Sequence, residues 1–187
     1  MSTTWQLITD RLRLRPYRPD DAQAMFAVFG DPEVMRYSMS GADPTIESTQ
    51  ARIQKLMDHQ NLFGFSLWVV EDRSTGAILG DCGLKQLEEG PEIEVGYRFA
   101  KPHWGHGYAS EAAAASVQHG FAALGLARIV AVVEPPNVAS RKVLEKIGLK
   151  YQCLAHYYGR PMSYFAADRE AFLAQHADRR EPRSHNG

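Results

Sequence analysis

The stretch HWGHGYASEA, residues 103–112, sets two glycines one residue apart just ahead of an alanine-rich run that reads as a helix. Gly105 and Gly107 have no side chain to hold a phosphate away from the main chain, and a small residue at Ala109 serves the same end. The first amides of a helix lack acceptors within it and attract anions. Trp104, Gly105, His106, Gly107, Tyr108 and Ala109 are therefore the candidates for a diphosphate-binding loop. Two other readings stay open. Glycines also serve a tight turn for backbone reasons alone. A dinucleotide-binding turn would put Ser110 in place of the third glycine of GxGxxG, with Glu134 reaching a ribose hydroxyl. Against the dinucleotide reading, Lys101-Pro102 interrupts the approach, and no second nucleotide-binding half follows.

The stretch EIEVGYRF, residues 92–99, alternates so that Glu92, Glu94, Gly96 and Arg98 share one face of a strand and Ile93, Val95, Tyr97 and Phe99 the other. Asn137 stands where it can cap a helix that carries Ser140 and Arg141 in its first turn. Cys82 and Cys153 lie far apart with no CxxC spacing, and His103, His106 and His119 show no ligand pattern, so neither zinc nor a disulfide framework is expected.

These residues need a scaffold, and the periodicity supplies one. Residues 6–15 alternate as one strand with Leu12 and Leu14 inward and Arg11, Arg13 and Arg15 solvated. A helix follows from Asp20 or Asp21 to the stop at Asp31-Pro32, and a second spans 45–60 behind a Thr45 cap. FSLWVVED, AILGDCGLKQL and EIEVGYRF then form an antiparallel meander. The helix 109–124 closes at Gly125, RIVAVVE is a short apolar strand, and the Asn137 helix stops at Gly148. YQCLAHYY and MSYFAAD are two more strands around a Gly159-Arg160-Pro161 turn. The expected fold is mixed α/β (α+β), a central and mostly antiparallel mixed sheet with helices on both faces. Residues 1–175 make one domain, and residues 176–187 a polar, disordered tail.

Composition narrows the function classes. The chain has 187 residues, 44% hydrophobic and 23% charged, with a formal net charge of -1. That length suits one well-buried core, and the charge offers no field to draw nucleic acid or an acidic membrane. No apolar run approaches the ~18 residues of a membrane span, and a cytoplasmic location is expected. Monomer and homodimer both stay open.

The order of these motifs resembles the GNAT superfamily of acetyl-CoA-dependent N-acetyltransferases over roughly residues 7 to 174. The family loop Q/R-x-x-G-x-G/A is matched at Gly107 and Ala109, while Trp104 departs from it at the first position. TDRLRLRPYRPDDA resembles the opening strand of the branch similar to ribosomal-protein N-terminal (alanine/serine) acetyltransferases. EIEVGYRF resembles its fourth strand, and NVASRKVLEKIGLKY its Asn-x-x-Ser helix and following strand.

The resemblance implies direct attack of an amine on the thioester of acetyl-CoA, without a metal. It implies Glu94 as the base and main-chain donors near Arg98, Phe99 and Ala100 for the pantetheine arm and carbonyl oxygen. Asn137 would lie beside the pantetheine, Ser140 near the thioester, and Arg141 near the outer phosphates. Tyr151 is the nearest match to the tyrosine that many relatives use as an acid. A peptide N-terminus is the leading acceptor, with a small amine (amino acid, polyamine or antibiotic) or an idle acyl-CoA sensor as alternatives.

Overall fold

The computed structural model describes residues 5–177. The run 6–15, expected as one strand, is two. β1 (Leu7–Ile8) and β2 (Leu12–Arg15) pair antiparallel with Leu7 opposite Leu14. The Thr9 hydroxyl accepts the Leu12 amide at 2.9 Å and so closes the turn between them, a local side-chain bond that competes with a continuous strand. Nor are the arginines simply solvated. Arg13 and Arg15 each donate Nε to one oxygen of Glu71, at 2.6 and 2.7 Å, and Arg15 also forks onto Asp21. Glu71 is buried, and the two guanidinium groups make that burial tolerable.

α1 (Ala22–Phe29) ends at Gly30, and α2 (Ile46–Phe63) starts behind Thr45, whose side chain accepts the Ser48 amide. Gly64, at φ 79°, stops α2 somewhat beyond the expected boundary. β3 (Leu67–Asp72), β4 (Ile78–Gln86) and β5 (Ile93–Phe99) form the expected meander. α3 (Tyr108–Ala122) crosses over so that β6 (Arg128–Val133) runs parallel to β5. α4 (Val138–Lys146) leads to β7 (Lys150–Tyr157) and β8 (Arg160–Asp168). β8 inserts between β6 and β7, so the sheet order is β1-β2-β3-β4-β5-β6-β8-β7. The last hairpin turns at Tyr158-Gly159, one position earlier than expected. Both residues take the positive φ that a two-residue hairpin demands. α5 (Arg169–Ala177) follows where no helix was expected, with the Phe172 ring 4.9 Å from that of Phe121. The tail expected from 176 is thus helical through 177, and the remainder lies outside the described residues.

Strand alternation sorts the core. Trp68 and Val70 join Leu84, Val95, Val117 and Phe121 under α3, while Val69 between them joins Met25, Phe29 and Ile53 under α1 and α2. With both faces covered, β3 reads as a continuous apolar run. The fold is the expected mixed, mostly antiparallel sheet with helices on both faces.

Candidate active site

Between β5 and β6 the only paired residues are Glu94 and Val130. Past that pair the strands part toward their C-terminal ends, and the gap opens into a cleft of about 560 Å³. Glu94, Gly96 and Tyr97 line it from β5, Asn137 and Ser140 from α4, Tyr158 from the last hairpin, and Lys55 and His59 from α2.

The splay frees main-chain donors, but not all of those expected. Ala100 N donates to Leu79 O at 3.0 Å, and because amides alternate sides along a strand, Arg98 also turns its amide to β4. Tyr97 and Phe99 turn theirs to the gap. Phe99 O accepts Trp104 Nε1 at 2.7 Å, which ties the start of the glycine loop to the strand end. The Arg98 side chain is likewise committed: it forks onto Asp81 at 3.0 and 2.5 Å and lies 4.6 Å from the Phe29 ring centroid. The main-chain amides of Arg98 and Ala100 are therefore turned to β4 and away from the gap, and Nε and Nη2 of Arg98 are committed to Asp81.

Glu94 is 6% exposed and faces the cleft. Its Oε1 receives the Tyr158 hydroxyl at 2.8 Å and lies 2.8 Å from Lys85 Nζ. Both partners sit on the same oxygen, so Oε2 is the atom left for a proton. Burial alone would lower the Lys85 ammonium, but the Glu94 carboxylate and Tyr158 outweigh it and hold the pKa raised. Burial and the Glu94 charge raise the Tyr158 phenol. The cluster therefore keeps its ammonium charged and its phenol protonated at neutral pH. Glu92 lies outside the cleft, where it accepts from Tyr157 at 2.9 Å and from Tyr164.

Across the gap, Asn137 caps α4 by accepting the Ser140 amide at 3.1 Å. Tyr97 Oη lies within hydrogen-bond distance of both oxygens of Ser140, 2.9 Å from Oγ and 3.0 Å from O. Tyr151 is not part of this group. It sits half-exposed on β7, with its ring edge-on to Phe165 at 5.6 Å. Because β8 separates β6 from β7, Tyr151 is two strands away from the splay. Tyr97 and Tyr158, by contrast, line the cleft beside Ser140 and Glu94. Their signal in the sequence was only that strand alternation placed Tyr97 opposite Glu94, whereas Tyr158 reaches Glu94 through tertiary packing.

Gly105 and Gly107 adopt φ 79° and 80°. A Cβ at Gly105 would meet nothing within 4 Å and one at Gly107 only Arg11 Nη2 at 3.6 Å, so backbone conformation and not crowding requires glycine there. The first helical bond of α3 runs from Glu111 N to Gly107 O at 3.1 Å, and no side chain caps the end. The amides of Tyr108, Ala109 and Ser110 are thus left without helical acceptors, whereas α2 and α4 are capped by Thr45 and Asn137. This open, bare mouth fits a diphosphate.

His106 stacks on Tyr108 beside it. Arg11 braces the loop from the β1–β2 turn: Nη1 donates to His106 O at 3.0 Å, Nε to Glu111 at 2.7 Å, and the guanidinium lies over the Tyr108 ring. Arg141 Nε is buried without an acceptor among the described residues. Glu134, the ribose candidate of the dinucleotide reading, is paired with Arg160, and β5–α3–β6 supplies the one parallel pair of the sheet. Among the described residues no cluster of three metal-ligating side chains occurs, and no helix is long and apolar enough to cross a membrane.

A splayed parallel pair, a glycine loop opening a helix and a carboxylate facing a capped helix define an acyl-transfer fold. The chain belongs to the GNAT acetyltransferase family, whose domain model matches residues 11–150. It is 38% identical over 154 residues to the uncharacterized N-acetyltransferase YoaA of Bacillus subtilis (strain 168), covering 81% of this chain and 86% of that one. A GNAT-family acetyltransferase from Bacillus anthracis superposes with a TM-score of 0.77 at 26% identity, over 89% of this chain and 99% of the other. Mycobacterium smegmatis RimJ, solved in complex with CoA-disulfide, shares the fold at a TM-score of 0.71 and 24% identity, over 86% and 83% of the two chains.

Proposed function

We propose that this GNAT acetyltransferase moves the acetyl group of acetyl-CoA to a single primary amine, foremost the N-terminus of a peptide or protein. The observation that carries the reading is that Glu94 and the Ser140–Tyr97 pair line one cleft at the splay.

Acetyl-CoA supplies a thioester whose carbon the acceptor nitrogen attacks; the N–C bond forms as the C–S bond breaks. Around that exchange, the gap-facing amides of Tyr97 and Phe99, about 7 Å apart along the strand, divide between the carbonyl oxygen as it gains charge and the pantetheine arm. Glu94 Oε2 accepts the acceptor's proton, directly or through a water. Ser140 donates a hydrogen bond to the departing sulfur, which takes its proton from solvent. The bare amides at Gly107 to Ser110 carry the phosphates of the coenzyme, and the family resemblance assigns Arg141 to the outer ones.

Direct transfer is favoured because no cysteine lines the cleft. Cys82 is buried under α3, where loss of hydration pushes its thiol up to about 12, and Cys153 lies on β7. The carboxylates that line the cleft are already engaged: Glu94 by Lys85 and Tyr158, Glu134 by Arg160, and Glu88 by the Tyr158 amide. Among the described residues, only Glu88, whose partner is a neutral amide, keeps an unpaired charge in the lining for a second ammonium group, which supports one α-amine over a polyamine or a polycationic antibiotic. Lys55, also in the lining, suits a neutral or acidic remainder. A cytoplasmic setting accords with the free thiols.

The test is CoA-thiol release across short peptides, amino acids and polyamines, repeated with Glu94→Gln. Turnover with peptides that falls about 10²–10⁴-fold in the variant is expected. Unchanged rates would remove Glu94 from the reaction, and binding of acetyl-CoA without turnover on any amine would make the protein a sensor.

A further inference from the structure

We propose that Tyr97 is a positioning residue for Ser140, its phenol donating to Ser140 Oγ so that the serine's own proton points into the cleft. The inference rests on the reading above, in which the thioester lies at the splay.

The geometry allows two arrangements. Tyr97 has one proton and two acceptors, Ser140 O at 3.0 Å and Ser140 Oγ at 2.9 Å. If the proton goes to the carbonyl, Ser140 can satisfy Tyr97 Oη only by donating to it, and its hydroxyl is then turned away from the reacting bond. If the proton goes to Oγ, Ser140 keeps its donor for the sulfur or carbonyl oxygen. Only the second makes Ser140 a donor to substrate. Ser140 N is held by Asn137 at 3.1 Å, so the serine backbone is fixed and the hydroxyl rotor is the remaining freedom.

Tyr97 does not itself serve as an acid. Burial is the main cause that raises its phenol, outweighing the Ser140 hydrogen bond, which lowers it. A raised phenol keeps its proton across the neutral range and remains a donor to Ser140 throughout. This division of labour answers a difficulty of the serine alone, whose hydroxyl is a poor acid but a good donor when the other side of its oxygen is engaged.

The experiment is a double-mutant cycle of Tyr97→Phe and Ser140→Ala on the full chain, read as kcat and KM by CoA-thiol release, with CoA binding by calorimetry and thermal unfolding as controls for the fold. Each single change should lower kcat by about tenfold, the equivalent of one ordinary hydrogen bond. The double variant should be no slower than Ser140→Ala, and CoA affinity should hold. The pH profile of kcat should keep its shape in Tyr97→Phe. Loss of the alkaline limb in that variant would make Tyr97 an acid and overturn the proposal. So would an unchanged kcat in Tyr97→Phe, or an equal fall in the Ser140→Ala background, both of which leave the acetyltransferase reading intact. An unchanged kcat in Ser140→Ala overturns the proposal together with the assigned role of that serine.

Discussion

Arg98 and Asp81 meet as a two-pronged ion pair beneath the cleft, with Nε to Oδ1 at 3.0 Å and Nη2 to Oδ2 at 2.5 Å. Asp81 has no exposed surface, and Tyr17 donates to its Oδ2 at 3.0 Å. Arg98 and Arg52 both lie against the Phe29 ring, at 4.6 and 5.0 Å, and Arg52 is in turn paired with Asp43. The pair thus ties β4 and β5 to α1 and α2. Removing one partner leaves a buried cation uncompensated. Asp81→Asn should lower the free energy of unfolding by about 3–5 kcal/mol, measured by urea denaturation, and Arg98→Met in the same chain should recover part of it.

Glu111 joins the β1–β2 turn to the glycine loop. It accepts from the Thr9 hydroxyl at 2.6 Å and from Arg11 N at 3.0 Å. Burial alone would raise its carboxyl, but the bonds from Thr9 and Arg11 and the Arg11 charge outweigh it and hold the pKa below its ordinary 4.5. A depressed folded value means stability that is present above the ordinary carboxyl range and lost as pH falls through the folded pKa. Thermal unfolding from neutral pH to about pH 3 should therefore fall less steeply for Glu111→Gln than for the parent chain. Parallel curves would sever this link.

Gly107 caps α3 at φ 80° with room for a methyl group. The cost of Gly107→Ala is then conformational, about 1–2 kcal/mol, and falls on the loop proposed to carry the phosphates. The free loop of the variant relaxes out of the strained conformation and must regain it to bind, so CoA affinity by calorimetry should drop roughly 5- to 30-fold, while the melting temperature moves little. Full affinity in this variant would place the phosphates elsewhere.

Tyr151→Phe should leave kcat and both KM values within about a factor of two, because its hydroxyl is two strands from the splay and only its ring packs on Phe165. A large loss of kcat, seen by thiol release, would return Tyr151 to the mechanism.

Local patterns in the chain were enough for most elements and their succession, though not for α5 or the break between β1 and β2. Strand period placed Glu94 opposite Tyr97, Asn137 announced the cap of α4, and Gly105 and Gly107 marked a loop with positive φ. Each of these follows from backbone geometry within a few residues, which adjacent sequence encodes. The split of residues 6–15 was missed because one hydroxyl, on Thr9, outweighs an alternation that looks continuous.

What only the tertiary structure decided is which groups share the cleft. Whether a strand amide faces a neighbour or a gap depends on the divergence of β5 and β6, so Ala100 drops out and Tyr97 enters. The insertion of β8 carries Tyr151 away, while the hairpin turn brings Tyr158 to Glu94 from 64 residues along the chain. Contacts of that range depend on how the sheet is ordered and how far its strands part, and no local spacing records either.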